Sequence, residues 1–403
     1  MLASADSRTM ARRVWKAGVA AGVVAFVVLA APRTEAHKGI ASKYNFNEHI
    51  FPILRDRCGS CHYKGGPAPM SLVDYLDAVP WAESIREALI SQHMPPWYVD
   101  PMGPAVKGAG HTIPPRELDM LLSWVVGGTP RFRERIFAFI EESTVTSPSY
   151  AGPAEQWAAG PPNVTVEMPA AHSLGIGVRE EDQEFLLDPG LTEETWISSV
   201  DFMPGNRSMV REALVSLENG PILAAWEPGY EAIPAPNGTA FRLPAGSKLK
   251  LQIHYKKNWQ DEAKELTDKS TVGLYTTDAP LSGRSLEEIV VEHSNGESDP
   301  TSERVLTANL AKGSRIVAFR PTFDQEYEAM SIDAVLPNGR RAELLRLRSP
   351  QPQWARRYWL AEPVELPANT KIEIKATPTP PDPFAIPVPK RHPLGVSIDL
   401  VTQ

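Results

Sequence analysis

Two cysteines in 403 residues can form one bridge at most, so a disulfide-stapled scaffold is excluded. Runs of lysine or arginine longer than a pair are also missing. With 41 Lys+Arg against 49 Asp+Glu the net charge is −8, the wrong sign for a phosphate backbone, so nucleic acid is excluded as a partner. The apolar run Ala17–Ala31 stops at 15 residues, short of the roughly 20 that cross a bilayer as a helix. What remains is an ordinary globular composition, 42% hydrophobic and 22% charged. At about 100–200 residues per domain, the length points to more than one domain.

Arg12, Arg13 and Lys16 precede the apolar run and Thr34-Glu35-Ala36 follows it. This is the basic, apolar, small-residue layout of a secretory signal. Residues 1–36 are therefore expected to be a signal peptide, with an uncleaved N-terminal membrane anchor as the alternative. They hold five basic and two acidic residues, which leaves 36 against 47 and a charge of −11 in the rest. The expected location is periplasmic or otherwise exported to the envelope, where thiols do not stay free. A cut after Ala36 would leave His37 at the terminus, where amine and imidazole can chelate copper together.

From Tyr44 to Gly128 the punctuation is helical. Ser71 stands three residues ahead of Asp74 as a capping box, a helix opens near Pro80 and runs through Ile85 and Leu89, and another runs from Pro114-Pro115 through Leu118, Leu121, Leu122 and Val125 to Gly127-Gly128. Residues 144–162 read as a linker. Strand signals follow: Leu249, Leu251, Ile253 and Tyr255 alternate with Lys250, Gln252 and His254. Similar short runs, separated by turns such as Pro337-Asn338-Gly339, continue to the end and suggest sandwiches. Pro378–Pro393 holds seven prolines in 16 residues, an extended strap.

Cys58-Gly59-Ser60-Cys61-His62 is C-x-x-C-H, the attachment sequence of a c-type haem. Two thiols three positions apart can add to the two vinyl groups of one porphyrin, and the next imidazole can reach the iron. Cys58 and Cys61 are the expected anchors and His62 the proximal ligand. The rival reading, a thioredoxin-like redox pair, needs a βαβ setting. For the sixth ligand, Met94 has the reach to come back across the haem, and Pro95-Pro96 hold the chain extended behind it. Met70 is only eight residues from His62; His93 and His111 are further candidates.

Phe51-Pro52-Ile53-Leu54, the C-x-x-C-H motif, Ala68-Pro69-Met70-Ser71-Leu72, Trp81, Ile85-Arg86-Glu87, Met94-Pro95-Pro96-Trp97 and Trp124 together resemble the cytochrome c domain of bacterial fusions to copper type II ascorbate-dependent monooxygenase-like domains, relatives of peptidylglycine and dopamine monooxygenases. Pro204-Gly205-Asn206, Leu249 to Tyr255, Pro337-Asn338-Gly339 and Leu366 to Thr370 are similar to the second half of that family. The resemblance implies two jelly-roll sandwiches, each carrying a copper in the family. The ligands do not carry over. Val210-Arg211-Glu212 stands where the family has adjacent histidines, Thr322-Phe323-Asp324 where it has His-x-His, and Ile398-Asp399-Leu400 where it has a methionine. His254 alone matches, a poor copper site by itself, unless His172 and His293 gather beside it.

The expected fold class is multidomain: a small all-α cytochrome c domain (37–143), the linker, then two all-β jelly-roll-like sandwiches (163–280 and 281–403, the second with the proline-rich tail). The expected function is one-electron transfer by an exported protein with a single covalent haem c and no copper. The sandwiches would serve docking, and the partner would be a redox protein with a basic face. The alternatives are a copper monooxygenase fed by its own haem, and a structural haem subunit of a larger envelope redox complex, with membrane-complex subunits as further partners.

Overall fold

The computed structural model describes residues 42–96, 98–108, 112–132, 148–157, 159–229, 232–293, 301–352, 356–380 and 393–402. The expected signal peptide, His37, Trp97, His111 and residues 381–392 of the proline-rich tail lie outside the described residues. Ser42–Gln403 forms one compact unit. Among the described residues no helix is long and apolar enough to cross a membrane.

The unit opens with a π-helical turn, Phe46–Ile50, whose Glu48 amide donates to the Asn45 side chain at 2.9 Å. Among the described residues four α-helices follow: α1 (Phe51–Arg57), α2 (Tyr75–Ala78), α3 (Ala82–Ile90) and α4 (Pro115–Val126). The cap of α2 is Asp74, which accepts from the Leu76 amide at 2.9 Å; the expected capping box would have started the helix at Ser71. In α4 the 3.6-residue period puts Leu121, Trp124 and Val125 inside. It stops at Gly127, where a Cβ would lie 2.4 Å from the Ser42 amide nitrogen, so only glycine lets the entering chain pass. The small core these pieces share centres on Phe46, Ile50, Leu54 and Trp124, with the Phe46 and Trp124 rings 5.9 Å apart.

Ten strands form the next layer: β1 (Val164–Glu167), β2 (His172–Leu174), β3 (Glu180–Leu187), β4 (Thr195–Met203), β5 (Val210–Leu217), β6 (Ile222–Trp226), β7 (Phe241–Leu243), β8 (Leu249–Lys256), β9 (Leu266–Asp268) and β10 (Thr271–Thr277). Two antiparallel sheets, in order β1-β10-β4-β7 and β3-β8-β5-β6, close on one core, and β2-β9 make a separate ribbon. In β8, Leu249, Leu251, Ile253 and Tyr255 are all buried while Gln252 and Lys256 are exposed. Each such aliphatic side chain contributes roughly 1.5–3 kcal/mol by leaving water.

A second sandwich repeats the plan with β11 (Glu287–Glu292), β12 (Arg304–Leu310), β13 (Ser314–Phe323), β14 (Tyr327–Val335), β15 (Arg341–Arg348), β16 (Tyr358–Leu366), β17 (Thr370–Pro378) and β18 (Leu394–Thr402). Its sheets are β11-β18-β13-β16 and β12-β17-β14-β15. With the β2-β9 ribbon set aside, both sandwiches have the first, eighth, third and sixth strands in one sheet and the second, seventh, fourth and fifth in the other, the jelly-roll order. The sandwiches share an apolar seam: Val317, Ala318, Trp359 and Val401 of the second belong to the core of the first. Strand β18 therefore has both faces covered, Leu394 to Val401 all buried, and shows no inside-outside contrast.

The expected fold class is thus corrected. Among the described residues 40% lie in strands and 14% in helices, and there is no all-α cytochrome c domain. The helices run from 4 to 12 residues, too short to hold themselves without tertiary packing. The chain between α3 and α4 spends its backbone on the second sandwich. Val99 bridges Leu347 of β15 and Val106 bridges Leu360 of β16. The Arg348 amide donates to the Tyr98 carbonyl at 2.7 Å, and the Lys107 amide to that of Trp359 at 2.8 Å. Tyr98 and Val106 are part of the second core.

Candidate functional site

The C-x-x-C-H motif forms the turn that leaves α1. Pro52 starts that helix and Phe51, Ile53 and Leu54 bury it; Arg57 grips Glu117 of α4 with two hydrogen bonds, at 2.8 and 3.2 Å. Cys58 is the C-terminal cap, its amide donating to Leu54 at 2.9 Å. The Cys61 and His62 amides both return to the Cys58 carbonyl, at 3.1 and 2.9 Å, which winds the five residues into one tight turn. The two thiols are free and half-buried.

His62 is oriented by Met70. Its Nδ1 lies 3.2 Å from the Met70 carbonyl oxygen, which can only accept, so Nδ1 carries the proton and the lone pair is on Nε2. The Leu72 amide, 3.0 Å from the His62 carbonyl, closes the same loop. Burial lowers the His62 pKa, with the Met70 carbonyl opposing, and so favours the neutral imidazole that ligates metals. Burial pushes the Cys58 thiol up to about 12. It raises Cys61 as well, against the pull of the Ser60 hydroxyl and of the Arg356 and Arg211 charges.

The loop sits on the first sandwich. The Asn258 side-chain amide reaches the Gly66 and Ala68 carbonyls at 3.3 and 3.4 Å, and Gln260 reaches Pro69 at 2.6 Å. The Cys61 thiol donates to the Pro228 carbonyl at 3.4 Å. Arg211 holds Asn258 from behind at 3.0 Å; burial lowers the Arg211 pKa to about 10. These contacts had no signature in the sequence. Asn258 and Gln260 lie about 200 residues from the motif, and only the fold brings them to it.

Met94 follows α3. Its amide and that of His93 both donate to the Ala88 carbonyl, at 3.3 and 2.9 Å, and the His93 ring rests on Ser91 at 3.1 Å. Met94 is 37% exposed, and none of the hydrogen bonds it makes reaches the motif turn. Met70 is in the loop with His62, on the Nδ1 side of the ring.

The positions that the resemblance compares with copper ligands carry other chemistry. His254 has both ring nitrogens against carboxylates, Asp182 at 2.7 Å and Glu180 at 3.1 Å. His172 stacks on Tyr255 with centroids 5.0 Å apart. His293 lies just beyond β11, its amide on the Leu394 carbonyl at 3.0 Å. Asp399 is buried against Arg357, Nε to Oδ2 3.1 Å. Among the described residues no group of three or more His, Cys, Asp or Glu side chains is arranged to hold a metal ion.

No protein-family model matches the chain, and no curated protein sequence matches it. Solved structures similar to it include a tandem CBM22 domain of Paenibacillus barcinonensis Xyn10C, at 11% identity over 62% of this chain and 100% of that one, with a TM-score of 0.15. A Paenibacillus xanthan lyase is 11% identical over 64% and 28% of the two chains, at 0.17. The CUB1-EGF-CUB2 segment of human MASP-1/3 is 10% identical over 57% and 99%, at 0.16. At such scores these likenesses carry no argument about this chain.

Proposed function

We propose that this chain is an exported c-type electron carrier with one haem bound at the C-x-x-C-H turn, and that its β-sandwiches serve docking. The observation that carries the reading is the hydrogen bond from His62 Nδ1 to the Met70 carbonyl. It fixes the tautomer and ring direction, as outer partners of metal-bound histidines do, and leaves Nε2 free to ligate. Cys58 and Cys61 would anchor the porphyrin edge, the two thiols in no disulfide and one turn apart. The bound iron would supply a site that takes up and gives back one electron.

The same geometry weighs against a redox dithiol. Such pairs draw their low thiol pKa from a helix N-terminus; Cys58 caps the C-terminal end of α1, where the macrodipole is negative, and its pKa is raised. The sixth ligand in this reading is Met94. The Met70 carbonyl is against Nδ1 of His62, so Met70 would stay on the side of the ring opposite the nitrogen that would ligate. Thioether ligation raises the potential relative to two imidazoles.

The charge of −11 beyond residue 36 suits a partner with a basic face, found by electrostatic steering. The test is haem and metal content of the protein purified from an envelope fraction. A pyridine haemochrome spectrum of c type, with one iron per chain and Cys58→Ser or Cys61→Ser lowering covalent attachment, is the expected result. Protein without a c-type band ends the reading, and stoichiometric copper lost in His254→Ala would replace it with the monooxygenase.

A further inference from the structure

The two ends of the proposed haem site are tied to different sandwiches. His62 is in the loop pinned to the first by Asn258, Gln260 and Pro228. Met94 is four residues before Tyr98, where the chain becomes an added edge on the second. Four residues span at most about 14 Å, so Met94, whose amide also rests on Ala88 of α3, is tethered within that reach of the backbone paired with β15.

That fixture is built around Asp100. Its side chain is only 6% exposed and meets Arg348 at 2.9 Å, with Arg346 at 3.9 Å. Its Oδ1 also accepts from the Met102 amide at 2.9 Å, and its amide donates to the Arg346 carbonyl at 3.0 Å. The Met102 amide, before the flanking arginines, is what holds its carboxyl below the usual range. Gly103 lies flat on the strand: a Cβ there would be 2.9 Å from the Arg346 Cβ. An ordinary surface loop has no need of a buried carboxylate with this many partners.

We propose that Tyr98–Lys107 is a positioning strap: by clamping Asp100 to Arg348 on β15 it restrains the chain that carries Met94, which would be the sixth ligand of a bound haem, so that the second sandwich would control that ligand. This rests on the haem reading above and adds a regulatory route to it, since anything that shifts β15 would shift the ligand.

The test uses the full chain with haem attached. In the parent, ferric spectra are expected to show the methionine-to-iron charge-transfer band, abolished by Met94→Ala. Arg348→Ala and Gly103→Ala are expected to lose that band and to lower the reduction potential, with covalent haem content unchanged. Arg348→Lys, which keeps the charge beside Asp100, is expected to retain the band. Thermal melts of each variant, followed in the far ultraviolet, separate loss of fold from loss of ligation. A band unchanged in both Arg348→Ala and Gly103→Ala overturns the strap, as does a parent with haem but no methionine band. A parent with no covalent haem overturns the haem reading itself and the strap with it.

Discussion

Asp399 shows how far a single side chain can depart from what its neighbours in sequence suggest. It stands in Ile398-Asp399-Leu400, a stretch that looks like an ordinary strand with one outward carboxylate, yet Asp399 and Arg357 are 1% and 2% exposed. The seam between sandwiches closes over them. Arg357 also donates to the Ile222 and Leu223 carbonyls of β6, at 2.6 and 3.0 Å, so the pair stitches the two sandwiches together. Burial raises the Asp399 pKa to about 6, Arg357 pulling the other way. A carboxyl that titrates higher folded than unfolded makes the native state the better proton binder between about pH 4 and that value. Its contribution to stability is therefore full at about pH 4 and below, and is lost as pH rises through about 6. Asp399→Asn removes this titration. Measured by urea midpoints from pH 4 to 8, the parent should lose stability relative to the variant across that window and run parallel to it above. A constant difference at every pH would contradict the assignment.

At the scale of elements, what could be read in advance depended on whether the cause was local. The C-x-x-C-H motif was visible because its signature is contained in five residues. So was β8, because one buried face writes a period of two into the sequence. Here Leu251→Ala, in the core, should cost about 2–5 kcal/mol, while Gln252→Ala on the exposed face should stay within about 0.5 kcal/mol; denaturant midpoints of the two variants decide it, and equal losses would mean a shifted register. The start of α2 was misplaced because Ser71 and Asp74 both offer caps, and the choice falls to Leu72 and Val73, which are buried in the helical core instead of entering a helix. The strap Tyr98–Lys107 was invisible. It pairs with β15 and β16 through isolated bridges, and no alternation marks a segment that short. The Met70 carbonyl on His62 was equally hidden, since a backbone acceptor leaves no residue signature.

For the molecule as a whole, the all-α domain expected over 37–143 failed because sequence punctuation reports helices, not where a folding unit ends. The helical segment has a core of its own, yet it reaches outward in both directions. Asn258 and Gln260 of the first sandwich bond its Gly66, Ala68 and Pro69 carbonyls. The Asp100 and Lys107 amides, and the carbonyls of Tyr98 and Ala105, pair with the second sandwich. Cut away at residue 132, the segment would return those groups to water and expose Tyr98 and Val106, which are 3% and 9% exposed in place. With helices of at most 12 residues, the small core around Trp124 then has to hold the segment alone, and segments of this size are marginal without outside support. A fragment of residues 42–132 is accordingly expected to show no cooperative thermal transition and poor amide dispersion by NMR, while residues 42–403 melt cooperatively. A fragment that melts sharply, with native-like near-ultraviolet circular dichroism, would show that the helical segment is a domain after all and that the sandwiches merely lean on it.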